Sequence, residues 1–159
     1  MALVFQRAGE GRFKVRTHAL ERMLAYRQDS RRKLEGGGLL LGRFILDSPD
    51  VVLDAVSTPM PGDLRERHRF VRSQAHQRVV DAAWWASGGT RVYLGEWHTH
   101  PEPVSSPSDE DVGSWRRHLA DPRIYGEALF FIVVGTRVLR AWEGVRSDGS
   151  TVKIGEVRL

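Results

Sequence analysis

Apolar and polar positions along the chain follow two periods, a period of about two that marks a half-buried strand and a longer one that marks an amphipathic helix. The longer period predicts three helices, over about 18–32, 73–87 and 108–119. Short alternations and continuous apolar runs predict strands near 13–15 and at 39–46, 51–56, 91–100, 128–134, 137–142 and 151–158. The order β-α-β-β-α-β-α-β-β-β predicts an α/β fold, a single three-layer α-β-α domain over 1–159 with a mixed, twisted sheet.

Cap and turn residues support several of these boundaries. Thr17 is a candidate N-cap for the first helix, and the basic cluster at 31–33 suits its C-terminus. Two prolines and a glycine exclude regular structure at the start of 58–70, which we expect to be a surface loop. In the second helix Trp84 is expected to face inward, and His76, which has no obvious partner, is expected to be solvated.

Composition narrows the class of protein. The chain has 159 residues, a net charge of +4 and no cysteine, which excludes disulfides, thiolate zinc sites and a cysteine nucleophile. No apolar run is long enough for a membrane span and no signal peptide is visible, so we expect a cytoplasmic protein. Basic clusters at 31–33, 65–69 and 116–118 are short and mixed with acids. They favour solvated faces or a protein-docking surface over nucleic-acid binding.

Candidate chemistry lies at the end of the strand predicted over 91–100. Alternate side chains of a strand share a face, so His98 and His100 project together, and counting by two places Val92 and Leu94 on that face as well. Ser108 and Asp111 follow at a helix start. Two imidazoles and one carboxylate can hold a zinc ion with one position left open, the arrangement of a catalytic site.

Each of these residues also has an ordinary structural explanation. Ser108 and Asp111 have the spacing of a capping pair, and a cap partner cannot serve fully as a metal ligand at the same time. Histidines two apart can arise by chance among six. Glu35, which precedes three glycines that allow close backbone approach, is by itself an ordinary surface glutamate. The combined spacing favours the metal site over these separate explanations.

A glutamate, a His-x-His pair, seven residues, a serine, two residues and an aspartate form the signature of the JAMM metallopeptidases, also called MPN+. The chain resembles this family at Glu35, His98, His100, Ser108 and Asp111. The resemblance implies the cytidine-deaminase-like fold of that family, with Zn²⁺ held by His98, His100 and Asp111. It also implies that Glu35 is general base and proton shuttle for the attacking water, and that Ser108 helps to stabilise the oxyanion.

The wording around the motif, Gly-Glu-Trp-His-Thr-His-Pro-Glu-Pro followed by Pro-Ser-x-x-Asp, is similar to the small isopeptidases of bacterial antiphage operons. Those of CBASS (cyclic-oligonucleotide) systems release a cGAS/DncV-like nucleotidyltransferase from its conjugates. This resemblance implies a zinc isopeptidase that cuts at the C-terminus of a conjugated or ubiquitin-like protein, with loops 58–70 and 101–107 as substrate walls. The alternatives are a processing peptidase for a ubiquitin-like or sulfur-carrier protein, a non-catalytic scaffold of the same fold, and a nucleic-acid hydrolase or binder.

Overall fold

The computed structural model describes residues 2–159, and Met1, the first residue of the predicted domain, lies outside the described residues. The strands of the N-terminal half are β1 (Leu3–Gln6), β2 (Arg12–Val15), β3 (Gly37–Phe44), β4 (Val51–Val56), β5 (Leu64–Glu66) and β6 (Arg69–Val71). Those of the C-terminal half are β7 (Val92–Thr99), β8 (Ala128–Val134), β9 (Val138–Val145) and β10 (Thr151–Arg158). The helices are α1 (Thr17–Leu24), α2 (His76–Ala86) and α3 (Asp109–Leu119).

Eight strands form one mixed sheet in the order β1-β2-β4-β3-β7-β8-β9-β10, and β5 pairs with β6 in a separate hairpin. The β2–β4 and β7–β8 pairs are parallel, and the others are antiparallel. The two edge strands approach each other, since the Phe5 ring lies 2.6 Å from the position that a Cβ on Gly155 would occupy. The sheet is therefore strongly curved, as accumulated strand twist requires.

Helices cover both faces of this sheet. Strand β8 is buried along its whole length, which explains its continuous apolar sequence. On one face Phe130 packs in a cluster with Met23 of α1, and on the other Phe131 stacks on Trp115 of α3 with 4.5 Å between ring centroids. Helix α2 lies on the α3 side, beside Tyr93. The predicted three-layer α/β architecture with a mixed sheet is confirmed.

Several predicted elements coincide with the observed ones. Strands β4, β8 and β10 have the predicted bounds, and β3 and β4 form the predicted antiparallel hairpin. Strand β1 was not predicted, and 58–70 was wrongly predicted as loop throughout, because it contains β5 and the start of β6. These three strands have only three or four residues each, too few for a clear period.

The first helix is shorter than predicted. It ends at Leu24 instead of near 32, and its N-cap is Arg16, so the prediction of Thr17 as N-cap is wrong. Beyond the helix Gln28 turns inward, where it is 2% exposed and its amide donates to the backbone carbonyls of Lys33 and Arg67. The basic cluster at 31–33 is therefore part of a loop and does not stabilise a helix terminus.

The second helix carries two wrong predictions. Trp84, expected to face inward, is 44% exposed. His76, expected to be solvated, is fully buried, with Nδ1 2.7 Å from Ser57 Oγ and Nε2 2.9 Å from Asp63 Oδ2. His76 thus links the end of β4 to the loop that leads into β5.

Helices α2 and α3 have eleven residues each, and no helix in the described part of the chain is long and apolar enough to cross a membrane. The cytoplasmic location stays a prediction.

Candidate metal centre

A β-bulge in β7 decides which side chains face the candidate site. Its pairing with β3 shifts register by one residue at Leu94 and Gly95. Val92 and Leu94 pack in the cluster on the α1 side, whereas His98 lies on the opposite face, so the prediction that these three share a face is wrong. Gly95 has φ +139°, and a Cβ there would lie 1.8 Å from the Phe130 carbonyl oxygen. The bulge therefore requires glycine at this position.

The start of α3 positions the candidate carboxylate. Ser108 is the N-cap, its Oγ accepts the Asp111 N–H at 3.1 Å, and Asp111 Oδ2 accepts the Ser108 N–H at 2.8 Å. The same Oδ2 lies 3.1 Å from His98 Nε2 and 3.2 Å from His100 Nε2. A carboxylate oxygen has two lone pairs, so one atom can complete the cap while it faces both imidazoles. Asp111 can therefore complete the helix cap and face the two histidines in one and the same side-chain orientation.

His98, His100 and Asp111, which we call the His-His-Asp cluster, offer three ligand atoms that all lie within 4.8 Å of one another. The two imidazole Nε2 atoms are 2.9 Å apart. Ligand atoms on a tetrahedral ion with bonds of about 2.0–2.1 Å are about 3.3 Å apart, close to the separations observed in the cluster. Because the donors are two nitrogens and one carboxylate oxygen, the cluster fits a divalent metal and leaves a fourth position open.

Electrostatics within the cluster also suits a cation. Burial alone would lower the pKa of His100, but the bond to Asp111 and the nearby charge of Glu35 raise it. Burial alone would raise the pKa of Asp111, but hydrogen bonds from His100 and His98 lower it well below its ordinary value. Carboxylates thus stabilise positive charge at the imidazoles, and a metal ion would meet the same field.

Glu35 lies beside the cluster at the entry to β3. It is 4% exposed, with Oε1 3.9 Å from His100 Nε2, so the interpretation of Glu35 as an ordinary surface residue is wrong. The β5–β6 hairpin (64–71) holds its backbone, since its N–H donates to Glu66 O at 2.7 Å and its carbonyl accepts from Arg65 Nε at 2.9 Å. Burial raises the pKa of Glu35 to about 8, against the opposing charge of His100.

These side chains open into a cleft of about 600 Å³ between the β5–β6 hairpin and α3. A network that sequence reasoning missed lines it: Glu96 Oε1 lies 2.5 Å from Arg72 Nε and 3.2 Å from His118 Nε2. Burial would raise the pKa of Glu96, but His118 and Arg72 lower it. Glu96 is two residues before His98 on the same strand, so alternation along the strand could have placed it in the cleft. Arg72 and His118 come from distant segments, and nothing in the sequence around them indicates that they meet Glu96.

The glycines after Glu35 allow close approach, but of neighbouring protein segments. A Cβ on Gly37 would lie 2.7 Å from Trp97 O and from the Phe70 ring. The neighbours that require glycine are therefore the histidine-bearing strand and the β5–β6 hairpin. Through this contact the hairpin sits directly over the entry to β3.

Fold and site together define a class: a three-layer α/β domain that presents two histidines and a carboxylate, with a buried glutamate beside them, to an open cleft. Residues 17–145 match the model of a family described as prokaryotic homologs of the JAB domain, and the chain belongs to that family. The resemblance to the prokaryotic branch of the JAMM/MPN+ proteins is confirmed.

Relatives support this assignment over most of their length. A protein named CD-NTase/cGAS isopeptidase from Vibrio cholerae serotype O1 is 36% identical over 136 residues, which cover 85% of this chain and 83% of the relative. A protein of the same name from Escherichia coli (strain TW11681) is 30% identical over 152 residues, 95% of this chain and 94% of the relative. The solution structure of protein DSY2949 from Desulfitobacterium hafniense has a TM-score of 0.60 at 24% identity and covers 87% of each chain, a likeness of fold alone.

Proposed function

We propose that this protein is a metal-dependent isopeptidase that hydrolyses the bond between the C-terminus of one protein and an amino group to which it is conjugated. The observation that carries the proposal is the convergence of the His-His-Asp cluster and the buried Glu35 on one cleft. The name shared by the relatives from Vibrio cholerae and Escherichia coli supports a nucleotidyltransferase of the cGAS/DncV-like class as the conjugated protein, in a CBASS antiphage system.

We propose zinc as the metal, with His98, His100 and Asp111 as ligands. The donor set and the separations of the ligand atoms support this choice. When bound, zinc supplies a Lewis acid that polarises the scissile carbonyl and makes water a better acid.

Glu35 is the proposed general base. Its carboxylate takes a proton from the attacking water and delivers it to the leaving amine, so that water adds across the C–N bond and releases a carboxylate and an amine. A pKa near neutrality suits both transfers. In the metal-free protein burial raises the pKa of Glu35 to about 8 against the charge of His100, and a cation bound beside it would lower that value. A general base with an ordinary carboxyl pKa would hold the proton too weakly to return it efficiently.

Ser108 is the proposed oxyanion donor. Its Oγ accepts the Asp111 N–H, so its own hydroxyl proton is left to be donated into the cleft that Ser108 lines. A donor placed where the carbonyl oxygen gains charge stabilises the tetrahedral transition state. The capping bond to the Asp111 N–H fixes the orientation of the Ser108 side chain.

Two segments are proposed as substrate walls within a single domain. Residues 68–72 line the cleft on the side of the β5–β6 hairpin, and Glu102, from the loop 101–107, lines it beside His100. One sheet that includes both β1 and β10 supports a single domain over the chain.

The test uses purified protein and a synthetic conjugate in which the C-terminal segment of a nucleotidyltransferase is joined to a lysine side chain. We expect about one zinc per chain by elemental analysis and release of the segment with a free C-terminal carboxylate. Glu35→Gln should lower kcat by about 10²–10⁴-fold, the usual contribution of a general base, while Glu21→Gln, at an exposed position of α1, should have no effect. Stoichiometric metal without cleavage would favour the scaffold alternative, and failure to bind any divalent metal would exclude the proposal.

A further inference from the structure

Thr99 lies between the two histidines and points away from them, into the opposite face of the sheet. It is 0% exposed, and Gln28, its side-chain partner, is 2% exposed. We infer that Thr99 and Gln28 are positioning residues that hold Glu35 at a set distance from the strand that carries the histidines. The inference rests on the proposed function, because Glu35 is the general base only there.

Thr99 bonds to both backbone groups of Gly36, the residue next to Glu35. Its N–H donates to Gly36 O at 2.8 Å, and its Oγ1 accepts from Gly36 N–H at 2.9 Å. The Thr99 hydroxyl then donates to Gln28 Oε1 at 2.8 Å. Gly36 is covalently joined to Glu35, and Thr99 is covalently joined to both histidines. The bonds between Gly36 and Thr99 therefore connect the proposed base to the two proposed histidine ligands, each only one residue away.

Gln28 connects Thr99 to the segments that flank the cleft. Its Nε2 donates to Lys33 O at 3.2 Å and to Arg67 O at 2.9 Å, so both N–H groups and the carbonyl of this buried amide are paired. Lys33 belongs to the loop before Glu35, and Arg67 to the turn of the β5–β6 hairpin. One side chain therefore joins three segments around the base.

The Thr99 hydroxyl is needed for more than filling space. Valine has the same shape but can neither accept from Gly36 nor donate to Gln28, which leaves two buried polar groups without partners. The segment 33–36 would then have to move to satisfy them, and Glu35 would move with it. Displacement of a reacting group by about 1 Å can lower a rate by about 100-fold.

The decisive comparison uses Thr99→Val, Thr99→Ser and Ser57→Ala on the synthetic conjugate. Ser57 is a matched control, since it is also buried and its Oγ also accepts a strand amide, that of Leu39 at 2.8 Å. We expect Thr99→Val to lower kcat by about 10–100-fold with KM and zinc content unchanged, and Thr99→Ser to restore it. Ser57→Ala should lose thermal stability to a similar extent but keep kcat.

A second readout does not depend on activity or metal. In metal-free protein, amide hydrogen exchange at Gly36 followed by NMR should be faster in Thr99→Val than in wild type and near wild type in Thr99→Ser. Unchanged exchange, or an equal loss of kcat in Thr99→Val and Ser57→Ala, would overturn the inference. If wild type cleaves no conjugate, the proposed function fails, and the exchange at Gly36 still decides whether Thr99 holds the segment.

Discussion

At the scale of single residues, Glu35 is where the proposed function opposes stability. A carboxyl group in a nearly closed position is costly to ionise, and the raised pKa records that cost. The neighbouring backbone compensates in part, because the β5–β6 hairpin bonds to both the N–H and the carbonyl of Glu35. A residue that destabilises the metal-free fold while it serves chemistry is typical of an active site.

Glu35→Gln should therefore stabilise metal-free protein at high pH. The pKa of Glu35, which burial raises from 4.5 to about 8, makes the unfolded state lose its proton first as pH rises, so stability falls between these values and the full cost is present above them. Chelator-treated Glu35→Gln should exceed wild type by about 1–3 kcal/mol at pH 9 once solvent screening is allowed for, and by much less at pH 4.5. Urea unfolding at both pH values measures this, with Glu21→Gln as control. Equal stability of the two proteins at pH 9 would contradict the expected cost.

Asp111 combines the observed capping role with the proposed role as a metal ligand. Asparagine retains an oxygen that can accept the Ser108 N–H but is a poor metal ligand, and alanine has neither property. We expect Asp111→Asn to lose zinc affinity by at least about 10-fold and also the stability that the ionised carboxylate gains from His98 and His100. Asp111→Ala should be about 1 kcal/mol less stable than Asp111→Asn in the metal-free state, because it also lacks the cap. Isothermal titration with zinc and urea unfolding measure the two effects. Equal metal-free stability of the two variants would show that the capping bond contributes nothing.

At the scale of elements, the bulge in β7 decides which face of the sheet carries His98. Without the extra residue, His98 would point into the apolar cluster on the α1 side, since a shift of one residue exchanges the faces of a strand. The bulge depends on the backbone of Gly95, which lies against Phe130. The exposed turn between β1 and β2 does not require glycine in this way, because a Cβ on Gly9 would meet nothing within 4 Å.

Gly95→Ala should consequently damage both fold and site. The φ of Gly95 is +139°, and an alanine Cβ there would lie 1.8 Å from the Phe130 carbonyl oxygen, so we expect a large loss of stability. We expect about 3–5 kcal/mol, the range of severe core disruptions, together with loss of zinc binding. Urea unfolding and zinc analysis measure these effects, and Gly9→Ala should match wild type in both. Normal zinc content in a stable Gly95→Ala protein would show that the bulge does not set the site.

At the scale of the whole molecule, the His-His-Asp cluster joins β7 to α3 across the loop 101–107. The sheet places β8 between β7 and β9, and α3 packs on the face to which the histidines point. A metal bound by ligands from both elements would bind the folded chain far better than the unfolded one. Metal binding is thus expected to stabilise the entire fold.

Zinc should raise the melting temperature of the wild-type protein. At a free concentration of about 100 times Kd, binding adds about 2.7 kcal/mol, which corresponds to about 5–10 °C for a chain of this size. His98→Ala should lose most of this shift, and His18→Ala, at an exposed position on α1, should keep it. Calorimetry with and without chelator measures the shift. A shift of equal size in His98→Ala would place the stabilising ion elsewhere.

The sequence by itself determined the elements whose signal is local. The apolar runs of β8 and β4 and the capping pair of α3 are properties of neighbouring residues, and spacing alone paired His98 with His100. Tertiary structure decided the rest. The bulge of β7 against β3, with Gly95 close to the Phe130 carbonyl, reverses the faces of β7. Contacts of Gln28 with Thr99 and with the Arg67 carbonyl hold it inward in the segment beyond α1. Burial of Glu35 and His76 likewise depends on partners remote in the chain, because desolvation is a property of the assembled fold.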